Sequence, residues 1–180
     1  NITVTNSSDA SGGTATITIN GTGNQILTGS GTVGQGELPK VTIDKPSGNL
    51  TLSGVISAAN NWTFTQILGG GSLITTGSTV VFGGFSSGYT ITGSHALNNV
   101  EFNASIGTTY TIAAGTILTV NGTLTISGGL AATINTGDIY AKGNITVTNS
   151  HLGGGNATIT INGGVTDGPS GNGNQTLTGS

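Results

Sequence analysis

Gly29, Gly31 and Gly34 in the stretch GSGTVG satisfy the spacing Gly-x-Gly-x-x-Gly, which in a nucleotide-binding turn lets the backbone approach a pyrophosphate. That chemistry also needs a helix directly after the turn, whose amino end meets the phosphates. Here QGELPK follows, with Pro39 and no helical periodicity, so the glycines read as a turn in a glycine-rich chain. The acids are Asp9, Glu37, Asp44, Glu101, Asp138 and Asp167. Glycoside cleavage needs two carboxylates facing each other across about 5 to 9.5 Å, and the one local cluster is Glu37 and Asp44 beside Lys40 and Lys45. Acids and lysines mixed in this way belong on a solvated outer face, where they keep a nearly uncharged protein soluble and discourage lateral strand pairing. His95 and His151 lack acidic partners at ligand spacing, and no Asp-x-Asp-x-Asp-Gly loop or glycine-aspartate nonapeptide is present. Both histidines are expected in loops. We assign no catalytic residue, no cofactor-binding residue and no metal ligand, and expect no enzymatic activity.

Thr-x-Thr recurs at Thr3/Thr5, Thr16/Thr18, Thr63/Thr65, Thr90/Thr92, Thr109/Thr111, Thr123/Thr125, Thr146/Thr148, Thr158/Thr160 and Thr176/Thr178. Regular arrays of this kind resemble the ice-binding faces of some β-solenoid antifreeze proteins, which need one pair per coil at constant period. The starts here are 12 to 47 residues apart, which scatters the pairs over several faces. Thr is also the ordinary outward residue of an alternating strand. Asn-x-Thr/Ser triplets begin at Asn1, Asn6, Asn20, Asn49, Asn61, Asn103, Asn121, Asn144, Asn156 and Asn174, as a chain rich in both residues produces by chance. Trp62 and Phe64 alternate onto one face, and Phe82 and Phe85 do so if Gly83 and Gly84 form a bulge. An exposed aromatic strip could hold sugar, but burial is the expected outcome, because aromatics contribute so much area to a core.

The elements that must carry these residues are strands. Of 180 residues 34 are Gly and only 5% are charged, with a formal net charge of −3 and no Cys. A disulfide framework and a thiolate metal site are therefore excluded. Disorder usually requires low hydrophobicity with high net charge, and this chain has neither. Lys40, Lys45 and Lys142 are the entire cationic complement, far too few to neutralise a nucleic-acid backbone. No apolar run approaches the roughly 20 residues of a membrane-spanning helix, and any export signal is expected upstream.

Repetition gives the organisation. NITVTNS at 1–7 returns at 144–150, ATITING at 15–21 returns at 157–163, and GNQILTGS at 23–30 returns as GNQTLTGS at 173–180. A small deletion and an insertion containing TDGPSGN account for the changing offset, and both fall between strand-like runs, as loop changes do. Residues 1–143 read as one full unit and 144–180 as the start of the next, as if the chain were cut from a tandem array. Alternating runs such as NLTLSGVI, NWTFTQIL, TILTVNGTLTISG and NITVTN each read as a short strand with one apolar face. The expected fold is all-β: a parallel β-helix, or β-solenoid, of stacked coils, with a tandem antiparallel β-sandwich as the alternative. Coils of about 20 to 25 residues would give six or seven per unit, each rising about 4.8 Å. Ile17, Ile19, Leu50, Leu52, Leu124, Ile126, Ile159 and Ile161 are the expected internal stack.

GNGNQTLTGS, LPKVTI, GNLTLSG, ILTVNGTLTISGG and GNITVTN resemble the repeats of large bacterial surface proteins, the β-solenoid adhesins of the filamentous-haemagglutinin and autotransporter type. The resemblance implies secretion to the cell surface, a stalk or adhesive rod, and no catalysis within the repeats. It transfers no functional residue. The expected partners are adjacent repeats or copies of the chain end to end, and a cell-surface or polysaccharide ligand, without nucleic acid and without a membrane span. A polysaccharide-binding or polysaccharide-cleaving β-helix and an ice-binding solenoid are the alternative functions.

Overall fold

The computed structural model describes residues 1–5, 13–31, 35–84, 87–149, 151, 153–161 and 177–179. Each alternating run forms a strand where β-branched side chains fill one face of the pleat. In chain order the strands begin with β1 (Ile2–Val4), β2 (Thr16–Ile19), β3 (Gln25–Ser30), β4 (Glu37–Leu38), β5 (Lys40–Lys45) and β6 (Leu50–Ala58). Next come β7 (Trp62–Ile67), β8 (Leu73–Ile74), β9 (Thr79–Gly83), β10 (Gly88–Thr92), β11 (His95–Leu97), β12 (Asn99–Asn103) and β13 (Thr108–Ile112). The series ends with β14 (Ile117–Val120), β15 (Leu124–Ser127), β16 (Ala132–Asn135), β17 (Asp138–Ala141), β18 (Ile145–Val147), β19 (Thr158–Ile161) and β20 (Leu177–Gly179).

These strands build three sheets. A ten-stranded sheet runs β1-β3-β6-β9-β12-β15-β18-β20, with β4 and β8 joined to β6. A six-stranded sheet runs β16-β13-β10-β7-β5-β2, and a four-stranded sheet runs β11-β14-β17-β19. From β9 to β18 the chain visits the three sheets in strict rotation, and each strand from β12 to β18 pairs in parallel with the strand three before it, one coil earlier. The protein is a β-solenoid of about six turns, with no helix among the described residues. Register partners in the large sheet include Leu27↔Leu52, Val80↔Val100 and Leu124↔Ile145, so a coil takes between 20 and 25 residues.

Parallel, in-register stacking puts like on like inside. Leu118, Ile139 and Ile159 form one column, and Val80, Val100, Leu124 and Ile145 another. The middle coils are filled by aromatics. Phe82 stacks on Phe102 at 5.7 Å, Tyr89 on Tyr110 at 5.5 Å, and Trp62 meets Phe82 edge-on at 6.2 Å. Burial is thus the fate of Trp62 and Phe82, and Phe64 is partly buried against the core; Phe85 lies outside the described residues.

Asparagines fasten the corners. The backbone N–H groups of Ile26, Asn49, Ser72, Thr90 and Thr123 donate to the side-chain oxygens of Asn1, Asn24, Asn49, Asn61 and Asn99, each one coil earlier. An orphan corner amide is costly if left unpaired, and a short amide side chain reaches it across the coil spacing. Asn1, Asn49 and Asn61 head three of the triplets noted above, so at these positions the backbone geometry alone accounts for the residue.

The sequence repeat is a structural repeat. Ile2, Thr3 and Val4 pair with Leu27, Thr28 and Gly29, and their duplicates Ile145, Thr146 and Val147 pair with Leu177, Thr178 and Gly179 in the same register. The inserted residues lie in sequence between β19 and β20, outside the described residues. The two copies nevertheless occupy different faces. β2 pairs with β5 in the six-stranded sheet, whereas its duplicate β19 pairs with β17 in the four-stranded sheet. The ITV strands also differ, because β6 turns a corner at Gly54: Ile2 aligns through Leu27 with Leu52 before the corner, and Ile145 aligns through Leu124, Val100 and Val80 with Ile56 beyond it. One unit therefore rotates the pattern by one face.

The expected aliphatic stack needs one correction. Ile19, Leu50, Leu52 and Leu124 are buried, and Ile17 and Ile126 pack against the core. Ile159 and Ile161 are exposed. Both sit on the last described strand of the four-stranded sheet, which has a neighbour on one side only among the described residues.

Candidate functional site

The glycine motif belongs to a corner. Gly29 lies in β3 opposite Gly54, and the chain continues into strands β4 and β5; Gly34 lies outside the described residues.

The charged cluster is not a solvated patch. Lys40 is exposed and Asp44 half-buried, but Glu37 and Lys45 are buried. Lys45 is fully enclosed, and its Nζ donates to the carbonyls of Gly21 (2.6 Å) and Gly23 (2.9 Å) and to Oε1 of Gln25 (2.8 Å). An ammonium has three donors, and all are used, which offsets the cost of taking the charge from water. The lysine thereby ties its own coil to the turn of the preceding one. Glu37 lies in β4, which pairs with β6. Its register partner Ser57 is buried, as is Val81 on the next strand, and its carboxylate lies close against Gly84, where φ is +128°.

The described acids are distributed over the three sheets. Asp44 accepts a hydrogen bond from the Gln66 side-chain amide at 2.9 Å on the six-stranded sheet, and Asp138 lies on the four-stranded sheet. Glu101 accepts from Ser127 at 2.6 Å and Asn103 at 2.9 Å. Glu37 and Glu101 share one outward row but stand three strands apart, or about 14 Å at the usual strand spacing. Asp9 and Asp167 lie outside the described residues. Among the described residues no three His, Cys, Asp or Glu side chains gather as a metal site, and no helix is long and apolar enough to cross a membrane.

His95 is a strand residue of β11 and is buried, contrary to its expected loop position. The Trp62 indole N–H donates to its Nε2 at 3.2 Å, and its Nδ1 lies 2.7 Å from the Gly93 carbonyl. Indole nitrogen only donates, so Nε2 must accept and the proton sits on Nδ1. The ring also stacks on Phe64 at 5.1 Å. Burial lowers the pKa of His95 below 6.5, against a smaller opposing pull from the Gly93 carbonyl. The unfolded chain therefore takes up a proton near pH 6.5 and the folded chain only at lower pH. Stability is complete above that value and falls as pH drops through it, by at most about 1.4 kcal/mol per unit. Urea midpoints should decline from pH 7 to pH 5, and His95→Gln should flatten that decline. A slope unchanged in the variant would show that another group controls it. His151 is exposed.

The threonines fall on all three sheets, but four of them align. Thr18, Thr42, Thr63 and Thr92 form one outward ladder on the six-stranded sheet. The adjoining row passes from Thr16 to Lys40, and Thr65 sits in the register shift between β5 and β7, so a regular two-column plane does not form there.

Apolar side chains are exposed on β19 and β20. An apolar recess of about 380 Å³ opens there, lined by Ile126, Ala132, Ile134, Val147, Ala157 and Ile159 among others. Ile161 and Leu177 stand beside it, 54% and 66% exposed. Their duplicates in the first coils, Ile19 and Leu27, are 1% exposed. Sequence reasoning placed Ile159 and Ile161 inside because it read the strand and not its missing neighbour. Comparison of this chain with family models, with curated proteins and with solved structures finds no match.

Proposed function

We propose that the chain is a structural segment of an extracellular, surface-anchored shaft or filament, of the kind that carries an adhesin away from the cell, and that it is not an enzyme. The observation that carries this reading is the identical register of the duplicated strand pair, Ile2–Val4 on Leu27–Gly29 and Ile145–Val147 on Leu177–Gly179. A register that repeats after one unit can continue for any number of units, so length grows by adding sequence. Mechanically, load along the axis would run through the coil-to-coil ladders and the Asn and Lys45 ties, and each coil's apolar side would be covered only by its neighbours.

The test is length. Arrays of one, two and three copies of residues 1–143, each closed by 144–180 and displayed on a bacterium with a terminal epitope, should raise the epitope by about 29 Å per unit, for the six coil-to-coil steps from Ile2 to Ile145 at the usual strand spacing. An epitope height that does not grow with copy number would overturn the shaft reading.

A further inference from the structure

The duplication lets the molecule show what fits its own exposed end. Thr16–Ile19 and Thr158–Ile161 are both TITI. On β2 lies β5, with Ile17↔Val41 and Ile19↔Ile43, and on β3 lies β6, with Leu27↔Leu52 and Gly29↔Gly54. The first copy is thus covered by the segment of residues 38–58. On the second copy the same side chains are open. A Cβ added at Gly29 would collide with the Val55 carbonyl, whereas one added at the duplicate Gly179 meets nothing within 4 Å.

We propose that this end is a docking surface for one further coil with the sequence type of residues 38–58. Its Lys-Val-Thr-Ile strand lies parallel on β19, and its Leu-Thr-Leu-Ser-Gly strand lies on β20. Val41 and Ile43 of the incoming segment cover Ile159 and Ile161, its Leu52 covers Leu177, and its Gly54 meets Gly179 where a side chain would not fit. A folded second copy cannot supply this segment, because its β5 is already held between β2 and β7 and its β6 between β3 and β9. The occupant is therefore an extended segment that folds as it binds, as the next repeat of an array does. This deepens the shaft reading and takes its biological setting from it.

The experiment uses the 180-residue chain and a fluorescein-labelled peptide of residues 36–60. Fluorescence anisotropy should show saturable binding, with hydrogen-exchange protection gained at 158–161 and 177–179. A peptide carrying Val41→Asp and Ile43→Asp should bind at least about tenfold more weakly, since two carboxylates would be buried without partners. Ile161→Asp in the chain, at an exposed position, should have the same effect, with circular dichroism confirming that the variant is folded. No saturable binding, protection at 1–5 and 16–19 instead, or equal binding of the Asp peptide would overturn the proposal. Arrays that lengthen while the peptide fails to bind would overturn the docking and keep the shaft. Arrays that fail to lengthen while the peptide binds would do the reverse.

Discussion

Trp62→Ala removes about 5 kcal/mol of stability, more than truncation of any other single core side chain. Trp62 is fully buried in the middle coils, edge-on to Phe82, so its loss opens a cavity that a β-ladder pinned on both sides cannot close. Removing a buried Trp costs about 3 to 5 kcal/mol on that ground. The variant also strips His95 of the donor to its Nε2, and a buried acceptor left without a donor costs about 1 to 3 kcal/mol more. Phe102→Ala makes a comparable cavity without orphaning a polar group and should lose about 3 to 4 kcal/mol. Trp62→Phe separates the two contributions, because it keeps most of the volume and loses only the N–H. Urea unfolding followed by circular dichroism reads the totals. Hydrogen exchange locates the damage, with β10 and β12 expected to lose protection before β15, since a solenoid's coils depend on their neighbours. Equal losses for Trp62→Ala and Phe102→Ala would show that the indole–imidazole bond contributes nothing net.

The fold was legible because its signal is local and repeated. Leu50-Thr-Leu52 and Val100-Glu-Phe102 alternate with period two, and each apolar member turned inward. Lys45 and Glu37 were not legible, because what buries them lies far off in sequence. The oxygens that satisfy Lys45 belong to a turn 20 to 24 residues earlier, and the Gly84 backbone against Glu37 comes two coils later. A charged residue in an alternating run says "outside" until a set of acceptors is known to face it. His95 is the same case, since Trp62 lies 33 residues before it. The asparagine corners did leave a trace that could have been read: Asn24, Asn49 and the amide of Ser72 are spaced by one coil length. The one-face rotation of the duplicate left none, because the repeat offset counts residues, whereas the face depends on where each loop turns.

Gly54→Ala should cost about 4 kcal/mol, although it adds one methyl group at a half-exposed strand. Gly54 has φ of +72°, and a Cβ there would collide with the carbonyl of Gly29 directly beneath it. The backbone strain alone is worth about 1 to 2 kcal/mol for an L-residue in this region. Gly77 isolates that part: its φ is +77° and a Cβ there meets nothing within 4 Å, so Gly77→Ala should lose only the strain. The remainder at Gly54 comes from prising two coils apart, because neither carbonyl nor strand can shift alone. The Gly31 N–H donates to Val55 O at 3.0 Å beside the collision, and separating the coils lengthens that bond too. The consequence reaches beyond one corner. Gly54 is where β6 passes from the segment under Ile2 to the segment under Ile145, so the turn from one face to the next depends on two glycines in contact. Paired thermal and urea unfolding of Gly54→Ala and Gly77→Ala would measure the difference. Equal destabilisation of the two would mean that close approach of the coils is not what sets the corner, and that β6 would turn there with any small residue.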